Sequence, residues 1–354
     1  MKKVTFILAL MLTNGIAFAQ DAAPAPEAAP TSTPLEISGS GDLYYKYDFS
    51  KVSNSNGDGY PGQPYTSFAS DQNSVSLGMI DIALKKTTGK ASFVGEVSFG
   101  PRGQAQSIPN VGGQSFHIQN LYATYAATDK LSFTAGYMGT FVGYEVISPV
   151  ANFHYSTSYL FTTGPFQNAG VKANYKVTDA FGVMLGAFND QWNNYSADAA
   201  NGVSTFGGQL SYVAGPISAY LNFLDGHESG TIIDLTAAFQ VTKAFKVGLN
   251  AADFSGKAED SGYTGFALYP SFAINDAFAV GLRAEYFQWK EGSSVTGEET
   301  DVMAFTLSGN YKVGGLTIIP EFRLDSGKDE IFVDSDLAPT KSYSQALLAV
   351  VYGF

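Results

Sequence analysis

The chain contains no cysteine, which removes disulfides, thiolate metal sites and cysteine nucleophiles from consideration. Charge is scarce as well: only 15% of residues are Asp, Glu, Lys or Arg, against about a quarter in a usual soluble domain. Beyond the N-terminus no apolar run reaches eighteen residues, so a bundle of membrane-crossing helices is excluded. There are three histidines, His117, His154 and His227, and none stands in a recognisable Ser-His-acid pattern or a spaced His/Asp/Glu cluster. No catalytic residue, no metal ligand and no cofactor is therefore expected. A formal charge of −12 argues against nucleic acid as a partner.

What the chain has in quantity is aromatic side chains and glycine. There are 27 Phe, 21 Tyr and 38 Gly beside only 14 Pro, a composition that favours β-structure. The N-terminus reads as an export leader over residues 1–19. Lys2 and Lys3 precede the apolar run Val4 to Leu12, and Ala17-Phe18-Ala19 fits a small-x-small cleavage site. The Ala/Pro-rich stretch that follows has no hydrophobic period and reads as a periplasmic linker over 20–35. The remainder, 36–354, is expected to form one membrane domain.

That expectation rests on a repeated phrase. "YKVTDAFGVML" from Tyr175, "FQVTKAFKVGL" from Phe239 and "FAINDAFAVGL" from Phe272 each place a brief polar break between two alternating runs. Shorter breaks fall at Thr87 to Lys90, Thr128 to Lys130, Ala214 to Pro216 and Gly314-Gly315, making seven in all. The spacings between Val177, Val213, Val241, Ile274 and Val313, the last residues before five of them, each fit two strands of about ten residues and one loop. Eight longer polar segments alternate with them: Ser50–Asn73, Pro101–Gln114, Gly143–Gln167, Trp192–Ser204, Gly226–Gly230, Gly256–Ser261, Glu291–Glu299 and Lys328–Thr340. Fifteen alternating connections predict sixteen antiparallel strands with both chain ends on the short-turn side.

Within the runs the two faces differ. Phe278, Val280, Leu282, Ala284 and Tyr286 share one face, while Arg283, Glu285 and Phe287 share the other with Ala279 and Gly281. Leu316, Ile318, Pro320, Phe322 and Leu324 likewise oppose Glu321, Arg323 and Asp325, and Ile37, Leu43, Tyr45, Tyr47 and Phe49 oppose Asp42, Tyr44, Lys46 and Asp48. A continuous apolar face outside and polar side chains inside fit a barrel closed within lipid, where every backbone group must find a partner. A propeller would need about four short strands per repeat, whereas each repeat here offers two long ones. The fold class predicted is thus all-β: a transmembrane, antiparallel, up-and-down β-barrel of about 16 strands with short periplasmic turns and longer extracellular loops.

Residue roles follow from this layout. Tyr175, Phe181, Phe239, Phe245, Phe272, Phe278, Tyr311, Tyr352 and Phe354 are expected as an aromatic girdle at the lipid interface. Asp42, Lys46, Asp48, Glu96, Lys246, Arg283, Glu285, Glu321, Arg323 and Asp325 are expected to line a wet lumen, since sixteen strands enclose a channel. The widest interval between short turns contains the third long segment, whose Tyr144, Glu145, Asn152, His154 and Tyr155 are candidates for a constriction. The acidic balance predicts a weak cation preference. An ending on Phe354, with Leu348, Val350 and Tyr352 on the same face, resembles the signal read by outer-membrane assembly machinery.

"SYLFTTGPFQNAGVKANY", Ser158 to Tyr175, carries Tyr159-Leu160-Phe161, Gly164-Pro165-Phe166 and Gly170-Val171, and "PEFRLD" spans Pro320 to Asp325. These stretches resemble the OmpL-like β-barrel porins of Gram-negative bacteria. The resemblance implies an outer-membrane porin, with outer-membrane lipid around it and a homotrimer as its expected assembly, and it brings no substrate; small hydrophilic solutes are expected from the width of a wet sixteen-stranded lumen. The rival expectation is an adhesin or structural barrel acting through its loops. A plugged active receptor is not expected, because no plug-sized segment stands before Leu35 and the chain is short for twenty-two strands.

Overall fold

The computed structural model describes residues 32–52, 63–104, 116–258, 261–292 and 297–354. The leader and most of the linker lie outside the described residues, as do parts of the first, second, sixth and seventh long segments. Among the described residues eighteen strands occur: β1 (Glu36–Asp48), β2 (Ser74–Thr88), β3 (Ala91–Phe99), β4 (Phe116–Ala126), β5 (Leu131–Gly139), β6 (Gln167–Lys176), β7 (Phe181–Asn189), β8 (Val203–Ala214) and β9 (Ile217–Gly226) come first. They are followed by β10 (Gly230–Gln240), β11 (Phe245–Ser255), β12 (Gly262–Ala273), β13 (Phe278–Trp289), β14 (Thr300–Val313), β15 (Leu316–Gly327), the two-residue pair β16 (Phe332–Val333) and β17 (Pro339–Thr340), and β18 (Ser342–Gly353).

Sixteen of these form one closed antiparallel barrel in which each strand pairs with its neighbours in sequence and β18 returns to β1. The seam runs from Ser40↔Gly353 to Asp48↔Gln345. At its end the Phe354 N–H donates to the Gly39 carbonyl at 3.0 Å and the Gly39 N–H to the Phe354 carbonyl at 3.2 Å. The start of β1 and the end of β18 therefore lie with the seven short turns. The small sheet β16-β17 stands apart, inside the last long loop.

The repeated phrase has a local cause. In four turns the side chain after the aliphatic residue closes the bend: Thr178 Oγ1 accepts from the Ala180 and Phe181 N–H groups, and Thr242 Oγ1 from those of Ala244 and Phe245. Asn275 Oδ1 does the same for Ala277 and Phe278, and Thr128 Oγ1 for Lys130 and Leu131. Donors that no strand partner could reach are thus satisfied within the turn. One long segment differs from expectation: β9 and β10 are joined by three residues only, 227–229, so this loop is a tight turn.

Side-chain direction alternates as the sequence predicts. Ile37, Leu43, Tyr45 and Phe49 are exposed outward while Asp42, Tyr44, Lys46 and Asp48 are buried inward. Val75 is 76% and Leu185 67% exposed, which is costly in water and natural against lipid chains. The inner side holds more than charges and small residues, however. Tyr263, Phe287, Trp289 and Tyr343 point inward and are buried with Tyr159, Leu160 and Phe332 of the loops. Chain folded into the barrel needs apolar surface to pack against, and these aromatics supply it.

Candidate functional site

The connection between β5 and β6, residues 140–166, turns into the barrel. It contains a short helix, α1 (Tyr159–Thr163), capped by Ser158, whose Oγ accepts from the Phe161 N–H. A loop inside a barrel carries backbone groups that no ladder can satisfy, and the inner wall satisfies them here. Asp234 on β10 accepts from the Gly143 N–H at 3.0 Å, and Glu321 on β15 from the Tyr155 N–H at 3.0 Å. Glu285 on β13 accepts from Tyr159 and Leu160 at the first turn of α1, at 3.1 and 2.9 Å. Arg283 donates to the Ser156 and Thr157 carbonyls at 2.6 and 3.1 Å, and Arg323 to Thr157 at 2.9 Å.

Charge is paired along the same contact. Arg283 and Glu145 form a buried ion pair at 2.7 Å, and Arg323 and Asp325 another at 2.8 Å. Tyr159 donates its hydroxyl to Asp325 at 2.7 Å and Tyr155 donates to Asp42 at 2.5 Å. Two glycines give the loop room. A Cβ at Gly248 would collide with the Tyr144 ring, and one at Gly281 with the Phe153 ring. Tyr144 also stacks on Tyr269, with ring centroids 4.4 Å apart.

The five constriction candidates are thus brought into one loop, but in different roles. Glu145, His154 and Tyr155 are buried in contacts with the wall. Asn152 folds its side chain back to the Val146 N–H and carbonyl, and with Tyr144 keeps partial exposure. His154 Nδ1 lies 2.7 Å from Ser308 Oγ, and burial, with Arg283 beside it, drives its pKa well below the usual 6.5. This Ser-His-Glu contact is no catalytic triad. Ser308 rather than the imidazole is the central member, bonded also to Glu321, and all three are buried. His117 is buried on β4 and His227 is exposed beside Glu228. Among the described residues no group of three or more His, Asp or Glu could hold a metal.

Of the ten lumen candidates, all point inward. Asp42, Lys46, Asp48, Arg283, Glu285, Glu321, Arg323 and Asp325 are buried, most beneath the inner loop, while Glu96 and Lys246 are partly exposed. Asp42, Arg283, Glu285, Glu321, Arg323 and Asp325 hold the loop instead of facing open water. The reason lies in contacts distant in sequence, as with Lys46, which donates to the Ser70 carbonyl at 3.1 Å. Arg102, Lys172, Asp234 and Ser308 were missed. Asp234 could have been found, being the one charge of its alternating strand, and so could Lys172, a charge at mid-strand on the inward face of β6.

The aromatic candidates lie on the outer face beside the short turns. Tyr175, Phe181, Phe239, Phe272, Tyr311, Tyr352 and Phe354 are exposed and Phe245 and Phe278 half-buried, with Phe245 facing Phe272 and Phe278 facing Tyr311 across strands.

A closed sixteen-stranded barrel with a lipid-suited outer face and a long loop fixed against its inner wall defines the class of outer-membrane porin barrels. A family model described as putative beta-barrel porin-2, OmpL-like, matches residues 34–354, and the chain belongs to that family. Among curated proteins none matches the sequence. The outer membrane channel DcaP of Acinetobacter baumannii is similar in structure at a TM-score of 0.61 and 13% identity, covering 90% of this chain and 97% of its own. An anion-selective porin from Comamonas acidovorans aligns at 0.60 and 13%, covering 92% and 100%. OmpT of Vibrio cholerae, in a trimer form, aligns at 0.57 and 12%, covering 91% and 99%. At such identities the likeness is one of fold.

Proposed function

We propose that the chain is a porin through which small hydrophilic solutes diffuse passively and with weak selectivity, the passage narrowed by the loop 140–166. The observation that carries this reading is the loop's fixation: wall groups on β1, β10, β13, β14 and β15 hold it inside a barrel that stays closed. A loop so placed reduces the free cross-section of the lumen, as selective diffusion requires. Residues 1–19 would direct export, 20–35 would tether the barrel's periplasmic side, and the outward aromatics would sit at the lipid interface. Assembly machinery reading Phe354 and association as a homotrimer belong to the same reading.

One observation favours the rival, a structural or adhesive barrel. Tyr65 of the first loop packs on Trp289 and stacks on Phe332 of the last loop, closing part of the loop-side mouth. Reconstitution decides between them. In planar bilayers the porin is expected to give discrete conductance steps, and in liposomes to admit sugars and amino acids by size. Shortening 146–153 should raise single-channel conductance. Protein that inserts folded yet never conducts would establish the rival.

A further inference from the structure

The acidic composition predicts cation preference, but the charges left open inside the barrel have the other sign. The inner loop has a single carboxylate, Glu145, and Arg283 and Ser158 consume it. The loop surface that stays partly exposed is uncharged and largely apolar: Phe141, Val146, Ile147, Val150 and Phe153. On the wall, Lys172 of β6 and Lys246 of β11 point inward with partial exposure. Among the described residues neither has a hydrogen-bond or ion-pair partner. Their register neighbours cannot neutralise them, being Thr134 and Gly186 for Lys172, and Gln240 and Ser271 for Lys246. The acids on the same wall are engaged. The Asn120 amide donates to Glu96 at 2.5 Å, and the Ser40 hydroxyl donates to Asp81.

We propose that the passage prefers small organic anions with an apolar part, such as aromatic carboxylates, with Lys172 and Lys246 meeting the charge and Val146, Ile147 and Phe153 the apolar portion. This rests on the porin reading. A cation held by the wall enriches counter-ions in the lumen, and an apolar face beside it lowers the cost of shedding water from a ring. Neither feature follows from net charge, most of which lies in exposed loops.

The test uses the full-length mature protein in planar bilayers, with reversal potentials under a KCl gradient and then with potassium benzoate against potassium gluconate. Wild type should pass chloride over potassium and benzoate over gluconate. Lys172→Gln with Lys246→Gln should lower the chloride-to-potassium ratio by about threefold or more, and Lys172→Arg should retain it. Val146→Ser with Ile147→Ser should reduce the benzoate preference while leaving the chloride ratio in place. Folding of each variant is checked by heat-modifiable migration. Potassium-selective wild type, or a ratio unmoved by the double lysine variant, overturns the anion preference and leaves the porin intact. Folded protein without conductance overturns the porin reading itself.

Discussion

Arg283 shows how a charge inside the barrel becomes a structural group. Alternation along β13 places it inward, and that much is legible in the sequence. Its partner is not, because Glu145 lies 138 positions away in a loop with no periodicity of its own. The same holds for Glu285, whose carboxylate meets the first turn of α1, and for Glu321, which meets Tyr155 and Ser156. A buried ion pair contributes little net stability, yet removing one member strands the other. Arg283→Ala should therefore destabilise the barrel by about 3–5 kcal/mol, leaving Glu145 uncompensated beside Glu285. Arg283→Ala with Glu145→Ala should recover a large share of that loss. The measurement is urea unfolding in detergent followed by heat-modifiable migration, and equal losses in the single and double variants would show that the pair does not couple.

At the scale of elements, the turns were the most readable part of the chain and the inner loop the least. A turn's chemistry is local: Thr242 reaches donors two and three residues ahead, so the phrase "VTKAF" states its own structure. Counting such phrases yields the strand number because a period-2 run of about ten residues has one way to cross a bilayer. Where 140–166 goes depends instead on wall groups from β1, β10, β13, β14 and β15, and its segment length alone marked it. The inward aromatics Tyr263, Tyr269 and Trp289 belong to the same blind spot, since they cover a loop whose position alternation does not encode. The turn argument carries a prediction. Thr242→Ala leaves the Ala244 and Phe245 donors to water at the barrel edge, at a cost of about 1 kcal/mol. Thr242→Asn should restore it, as Asn275 already does in the next turn, and thermal unfolding of the purified barrel would show both changes.

For the whole molecule the decisive feature is closure. The outer face is apolar around the circumference, so an open β1–β18 seam would present unpaired N–H and C=O groups to hydrocarbon at several kcal/mol each. Folding in lipid is thus committed to completing the ring, and Phe354 supplies its last two backbone bonds through Gly39. The Phe354 ring contributes little packing, being 63% exposed on the outer face. Backbone closure and the aromatic side chain are therefore separable. Phe354→Ala keeps the two bonds and removes only the ring. Refolding of this variant into detergent or liposomes should match wild type, whereas the amount of heat-modifiable barrel recovered from cell outer membranes should fall several-fold. Phe354→Trp should restore assembly in cells, because it returns a terminal aromatic without altering the seam. A refolding yield that drops in liposomes as far as it drops in cells would assign the ring to stability of the closed barrel. A loss confined to cells assigns it to recognition of the chain's end.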